Sequence, residues 1–163
     1  MSIIHINDRD EFVARLGGVY EHSPWVAERA FASRPFASLD ALHAAMQAVV
    51  ISATDTEKLA LIRAHPELLG KLETAQLSES SRCEQASAGL DRCTPAQKAR
   101  MQSLNAQYRE KFGMPFIVAV KGLDWGGIIE RMEQRLPNSR ENEIDTALAQ
   151  IGRIARFRLE GLQ

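Results

Sequence analysis

Of the four histidines in the chain, His65 has the surroundings most suggestive of chemistry. The residue after it is a proline, which pushes the residue before it out of the α region, so His65 is expected at a fixed break between a helix and a loop. Side chains on rigidly positioned connections often carry function. A histidine that ends a helix can equally be a plain C-terminal cap. The other three are interpreted as surface or packing residues: His5, His22 and His43.

A second candidate is the polar run Ser81-Arg82-Cys83-Glu84-Gln85. On a helix, Ser81 shares one face with Glu84 and Gln85 through i,i+3 and i,i+4 spacing. A hydroxyl, a carboxylate and an amide that project together suit recognition of a polar heterocycle. The spacing is also typical of a solvated polar face, and by itself it favours that interpretation.

Two more stretches could contact a ligand. Glycine and proline precede the apolar segment Phe116-Ile117-Val118-Ala119-Val120, whose backbone groups must find partners if no regular structure supplies them. A ligand could be that partner, although a core segment between two helices fits the pattern at least as well. The C-terminal region carries Arg153, Arg156 and Arg158, and one of them could bind a carboxylate as a bidentate fork. The default for each is a solvated or salt-bridged arginine.

Several familiar catalytic motifs are absent from the sequence. It has no paired-histidine metal motif, no phosphate-binding glycine loop and no Gly-x-Ser-x-Gly turn. Cys83 has little around it to support a role as a nucleophile. An enzyme built on this chain is therefore expected to use acid–base and electrostatic catalysis, without a metal or cofactor.

Length and charge narrow the class of protein. The 163 residues fit one domain, expected to span residues 1–163. Twenty basic residues against 21 acidic ones leave a net charge of −1, which does not predict binding to nucleic acid or to an anionic membrane. No apolar run is long enough to span a bilayer, and no secretory signal is visible. We expect a cytoplasmic protein whose Cys83 and Cys93 are reduced thiols.

Helix start and stop signals occur throughout the chain. The expected N-terminal caps are Asp8, Ser23, Ser38, Thr54 or Thr56, Ser78 or Ser80, Thr94, Asp124 and Ser139. Gly113 is expected to stop the helix that Thr94 begins, and Gly89 the one that begins near Ser78. Residues 116–120 could form a strand, but one short strand has no partner, so an extended or helical segment is expected. The predicted fold class is all-α, a single-domain bundle of several helices.

Taken together, four segments resemble the family of 2-oxo-4-hydroxy-4-carboxy-5-ureidoimidazoline (OHCU) decarboxylases of urate breakdown. The matching segments, in order, are RAHPELLGK at 63–71, SRCEQASAGL at 81–90, LNAQYREKFGMPFI at 104–117 and IGRIARFRL at 151–159. The combination and order of these motifs are far more specific than any one of them. The resemblance implies an all-helical homodimer that converts OHCU into (S)-allantoin and CO2 without a cofactor.

The resemblance also implies roles for single residues. His65 matches the family's catalytic proton donor, with Pro66 beside it in the pocket. Glu84 matches a residue implicated both in catalysis and in substrate contact, and Arg158 matches an arginine near the substrate. Further matches to substrate-contacting positions are Ser81, Gln85, Phe116, Ile117, Val118, Ala119 and Val120, the last five partly through their backbone.

The sequence departs from the family pattern at Gln150, where a glutamate is expected before Ile151. This puts one supporting contact in question without affecting the reaction. Two other functions fit the sequence: a catalytically inactive helical interaction module, and a lyase or hydrolase for another ureido or hydantoin-like product of purine breakdown. A metal-dependent hydrolase using His65 and Glu84 is disfavoured, since two such residues make a poor metal-binding set.

Overall fold

The computed structural model describes residues 2–68 and 94–163. These residues form seven α-helices and two short 3-10 helices, and none of them lies in a β-strand. The α-helices are α1 (Arg9–Leu16), α2 (Trp25–Ala30), α3 (Leu39–Ile51), α4 (Asp55–Ala64), α5 (Pro95–Phe112), α6 (Trp125–Arg135) and α7 (Arg140–Gly161). The predicted all-α class is confirmed, whereas the helix expected between Ser78 and Gly89 lies outside the described residues. None of the described helices is long and apolar enough to cross a membrane.

Most helices begin where the sequence predicts. Side-chain oxygens that accept a backbone N–H in the first turn belong to Asp8, Ser38, Asp124 and Ser139. At the start of α5, Thr94 and Gln97 form a reciprocal capping box, with N–H···O distances of 3.1 and 3.0 Å. Gly113 ends α5 in the left-handed region, with φ of 68°. Local capping chemistry therefore fixes the bounds of the helices near the candidate site residues.

The cap predicted at Ser23 is wrong. The Ser23 hydroxyl donates to the carbonyl oxygen of Glu21 at 2.9 Å, and Pro24 occupies the N-cap position of α2 without a side-chain bond. Between Glu21 and Ser23, the backbone of His22 adopts a positive φ of 47°. The hydroxyl therefore stabilises the loop before the helix and leaves the helix itself uncapped.

The described residues divide into two compact units. The first contains Met1–Ala64 and Ile151–Gln163. Its aromatic core is centred on Phe12, whose ring lies 5.3 Å from that of Phe31 and 6.0 Å from that of Phe36. In α7, a Cβ at Gly152 would lie 2.2 Å from Nε2 of Gln47, so a larger residue there would have to displace the Gln47 side chain.

The second unit contains His65–Gln150. Its core includes three aromatic rings. The centroid of the Tyr108 ring lies 4.5 Å from that of Phe112 and 5.3 Å from that of Phe116. Residues 115–120 are extended without strand pairing, and the side chains from Phe116 to Val120 are all buried. Of the two forms expected for this segment, extended or helical, the structure shows the non-helical one. One domain over residues 1–163 stays a prediction.

Candidate active site

His65 is buried and comes directly after the last residue of α4, outside any helix. Only 7% of its surface is exposed, and the proline after it fixes one backbone angle of the loop. Two side chains of α5 hold the next turn: Asn105 Nδ2 donates to the carbonyl of Leu68 at 2.7 Å, and Arg109 pairs with Glu67 at 2.5 Å. The loop is therefore held by side chains from one neighbouring helix.

The extended segment from Phe116 to Val120 is also held by side chains. Arg135 Nη1 donates to the carbonyl of Ile117 at 2.6 Å, and the amide of Ala119 donates to Gln150 Oε1 at 3.0 Å. Among the described residues, none makes a hydrogen bond with the backbone of Val118, which is 7% exposed. Buried backbone groups need partners, so the backbone of Val118 is a candidate for contact with a polar ligand.

A buried carboxylate anchors the arginine that holds the segment. Glu143 is fully buried, and its Oε1 accepts from the Tyr108 hydroxyl at 2.6 Å and from Arg135 Nε at 2.9 Å. Its Oε2 accepts from Asn138 Nδ2 at 3.0 Å. The guanidinium of Arg135 also lies over the Phe116 ring, with Cζ 4.3 Å from the ring centroid. One network thus fixes both the backbone and a side chain of the extended segment.

Burial raises the pKa of the Tyr108 phenol above its usual range, and the hydrogen bond to Glu143 raises it further. The phenol is therefore a neutral donor throughout the physiological range. Among the described residues, Nη2 of Arg135 is buried and has no hydrogen-bond partner, which leaves one strong donor of this network unused.

Arg158 lies in the first unit, in a buried ion pair. Its Nη2 lies 2.8 Å from Oε2 of Glu21, with side chains 7% and 1% exposed. Nη1 also donates weakly to the carbonyls of Gly18 and Val19, at 3.4 and 3.3 Å. The neighbouring arginines are more exposed: Arg156 pairs with Asp40 and Glu160, as expected for a surface arginine. Of the three candidates on α7, Arg158 is the one in a buried environment.

Only some of the predicted site residues lie in the part of the chain that the structure describes. His65, Pro66 and residues 116–120 belong to the second unit, whereas Arg158 belongs to the first. Ser81, Glu84 and Gln85 lie outside the described residues. The other histidines are surface or packing residues, as predicted: His5 and His22 are exposed, and His43 Nε2 bonds to the carbonyl of Gly152 at 2.8 Å.

Four residues around these candidates had no role assigned from the sequence: Glu21, Asn105, Arg135 and Glu143. Each is a polar residue in or near an amphipathic helix pattern, where a solvent-exposed side chain is the usual expectation. Asn105 alone falls within a segment of the family resemblance. The departure from the family pattern at Gln150 preserves a contact: the side-chain oxygen of Gln150 accepts from the amide of Ala119, as a glutamate oxygen could.

No cluster of three histidine, cysteine, aspartate or glutamate side chains suited to a metal ion occurs within 2–68 and 94–163. Both cysteines, Cys83 and Cys93, and the candidate Glu84 lie in the remaining part of the chain.

Comparison with known proteins identifies the family to which the chain belongs. The sequence model described as OHCU decarboxylase matches residues 7–160. A 2-oxo-4-hydroxy-4-carboxy-5-ureidoimidazoline decarboxylase of Halalkalicoccus jeotgali is 48% identical over 155 residues, which cover 95% of this chain and 86% of that protein. A protein of the same name from Haloferax volcanii is 46% identical over 152 residues, covering 93% of this chain and 89% of its own.

Two solved structures share the fold. An (S)-allantoin synthase superposes with a TM-score of 0.76 at 31% identity, covering 98% of this chain and 52% of that one. An OHCU decarboxylase crystallised in the presence of (S)-allantoin gives a TM-score of 0.71 at 19% identity, covering 94% and 96%. The second likeness, at such low identity, concerns the fold alone.

Proposed function

This chain belongs to the OHCU decarboxylase family, and we propose that it converts OHCU into (S)-allantoin and CO2 in urate degradation. The observation that carries the proposal is the 48% identity to a decarboxylase of that name, over 95% of the chain. Two features support the proposal: a buried histidine that could transfer a proton, and a buried segment whose backbone could hold the ring.

The reaction needs an electron acceptor, and the substrate itself contains one. When the bond between C4 and the carboxylate breaks, its electron pair forms a C4=C5 double bond, and the electrons of the neighbouring C=N bond move to nitrogen, which takes up a proton. Protonation of C5 on one face and loss of the C4 hydroxyl proton then give allantoin. The protein must orient the carboxylate, stabilise the shifting charge and deliver the proton to one face.

We assign proton transfer to His65. An imidazole that is 7% exposed is shielded from bulk water, so its proton can be directed to one face of the ring. A neutral imidazole donates through one ring nitrogen and accepts through the other, so it can pass a proton to a substrate. Pro66, which limits the backbone freedom of His65, would help to keep the ring in place.

The extended segment is assigned to hold the ureidoimidazoline. Arg135 and Gln150 occupy the carbonyl of Ile117 and the amide of Ala119, while the backbone of Val118 keeps its hydrogen-bonding capacity. Amide and carbonyl groups at fixed spacing match the alternating N–H and C=O groups of a ureido substituent. Apolar side chains from Phe116 to Val120 would exclude water from the ring.

The remaining roles rest on the family resemblance. Arg158 is proposed to bind an anionic oxygen of the substrate, for which its guanidinium is chemically suited. Glu84 is proposed to orient the C4 hydroxyl or the imidazole. Ser81 and Gln85 are proposed to contact the polar edge of the heterocycle.

The test is to generate OHCU in situ from urate and follow the circular dichroism of the product with and without the protein. Uncatalysed decarboxylation gives racemic allantoin, which has no dichroic signal. We expect the protein to produce the signal of (S)-allantoin faster than OHCU decays by itself. A signal no faster than spontaneous decay would show an inactive relative, or an enzyme for another ureido compound.

The assignment of His65 is tested separately. We expect His65→Asn to reduce the rate of (S)-allantoin formation at least about 100-fold, the usual contribution of a positioned acid or base. The matched control is His43→Asn, which removes a partly buried histidine assigned to packing. If His65→Asn keeps a near wild-type rate, the residue is not the proton donor.

The homodimer implied by the family resemblance stays a prediction. The cytoplasmic location expected from the sequence also stays a prediction. Light scattering coupled to size exclusion tests the dimer, with twice the chain mass of 18.1 kDa as the expected result.

A further inference from the structure

Side chains of α5 contact the residues that directly follow His65. Pro66 has no N–H to donate, and the residues from His65 to Leu68 lie beyond the last turn of α4. Two of their side-chain contacts come from α5, one from Asn105 and one from Arg109. These positions are four residues apart, so they lie on one face of that helix.

Asn105 is the stronger of the two contacts. It is 4% exposed, and its Nδ2 lies 2.7 Å from the carbonyl oxygen of Leu68, which is itself buried. Arg109 is 53% exposed, and water and salt weaken its pair with Glu67. The buried amide hydrogen bond is not screened in this way, so it sets the position of the loop more firmly.

Only the N–H side of the Asn105 amide has a hydrogen-bond partner among the described residues. Within 2–68 and 94–163, its Oδ1 is buried and has no hydrogen-bond partner. A buried acceptor without a partner destabilises a fold, and an aliphatic side chain of similar size would avoid that penalty. The benefit of an asparagine here therefore lies in its N–H donor, which contacts the His65 loop.

We propose that Asn105 is a positioning residue for the reaction: through the carbonyl of Leu68 it fixes the loop that orients the His65 imidazole. This inference rests on the proposed function, because it assumes that His65 transfers the proton. Small displacements of a reacting group reduce rates strongly, about 100-fold for a shift near 1 Å. Loss of this bond is expected to lower kcat more than it raises KM.

The decisive variant is Asn105→Asp, which changes the amide to a carboxyl of nearly the same shape. A protonated carboxyl can donate to the Leu68 carbonyl, whereas a carboxylate has no donor and would repel that oxygen. Burial would raise the pKa of such a carboxyl above its ordinary range. The kcat of Asn105→Asp relative to wild type should therefore rise as the pH falls.

Two further variants separate positioning from stability. Asn105→Leu keeps the volume without any donor, so its kcat should fall about 10- to 100-fold at every pH, with KM within about threefold of wild type. Thr94→Ala removes the N-cap of the same helix, and it should lower the melting temperature while leaving kcat and its pH profile unchanged. Each comparison is made below the melting temperature of the variant.

The position of the imidazole gives a second readout. The NMR resonances of the His65 ring should shift in both Asn105 variants and stay in place in Thr94→Ala. Wild-type kcat in Asn105→Leu, or a pH-independent ratio together with an unshifted His65 ring in Asn105→Asp, would overturn the proposal. Failure of the proposed function is recognised independently, since the wild-type protein would then produce no (S)-allantoin signal above spontaneous decay.

Discussion

Arg158 and Glu21 form an ion pair that is almost completely removed from solvent, with Nη2 and Oε2 2.8 Å apart across 137 positions of sequence. Arg158 matches an arginine that the family resemblance places near the substrate, and we propose that it binds an anionic oxygen there. A carboxylate that holds its guanidinium fixes the orientation of the remaining N–H groups. Glu21 therefore becomes a residue on which the proposed binding role of Arg158 depends.

Glu21→Ala is expected to destabilise the protein by about 3–5 kcal/mol, because it removes the carboxylate from a buried pair and leaves the arginine charge behind. Glu21→Gln keeps the shape and one acceptor, so the loss should be smaller. Thermal and urea unfolding measure both changes. The matched control is Glu57→Gln, which removes the charge from a more exposed pair with Arg29 and should cost about 1 kcal/mol or less. Equal effects at the two positions would contradict a special role for the Glu21 pair.

Local features of the fold could be predicted because their chemistry involves neighbouring residues. The caps at Asp8 and Ser38 and the stop at Gly113 depend on bonds within about four positions of sequence. Ser23 has the same type of signal, but its hydroxyl donates to the carbonyl of Glu21. The Ser23 hydroxyl bonds to an acceptor in the preceding loop instead of capping the helix. A capping pattern describes only the residues of the helix start, so it does not predict this competing bond.

The candidate site could be predicted only in its central residues. The proline after His65 and the apolar segment at 116–120 are visible in the sequence. The supporting contacts are not, because Asn105 reaches Leu68 across 37 positions and Arg135 reaches Ile117 across 18. Pairs at such separations depend on how helices pack, which no single spacing rule describes.

Arg135 should be irreplaceable by lysine. Its planar fork donates to the carbonyl of Ile117 through Nη1 and to Glu143 through Nε, and a single ammonium group cannot reproduce this geometry. We expect Arg135→Lys to raise KM for OHCU about tenfold or more and to lower the free energy of unfolding by about 1–3 kcal/mol. Steady-state kinetics with in situ substrate and urea unfolding measure these changes. The control is Arg100→Lys, in an exposed pair with Glu133, and a similar KM increase there would refute the specific role of Arg135.

Gln150 should tolerate a glutamate better than an apolar residue. The amide of Ala119 donates to its Oε1 at 3.0 Å, and a carboxylate would still accept that bond. Gln150→Leu removes the acceptor and leaves a buried amide without its partner, so we expect KM to rise about tenfold, equivalent to about 1.4 kcal/mol. Gln150→Glu should remain within about threefold of wild type. If both variants bind OHCU equally well, the extended segment does not depend on this contact.

Both tyrosines of the chain are expected to resist ionisation while the protein is folded. Burial raises the pKa of Tyr20 above its usual range, and burial and the bond to Glu143 raise that of Tyr108. Because each pKa is higher in the folded than in the unfolded state, the stability they contribute is complete below about pH 10 and is lost as the pH rises above that value. Absorbance at 295 nm and far-ultraviolet circular dichroism, followed together from pH 8 upwards, should therefore change in a single step.

In Tyr108→Phe the alkaline loss of stability should be smaller than in wild type. Tyrosinate that forms with a midpoint near pH 10, while the helical signal is still native, would show that the two phenols are accessible to solvent.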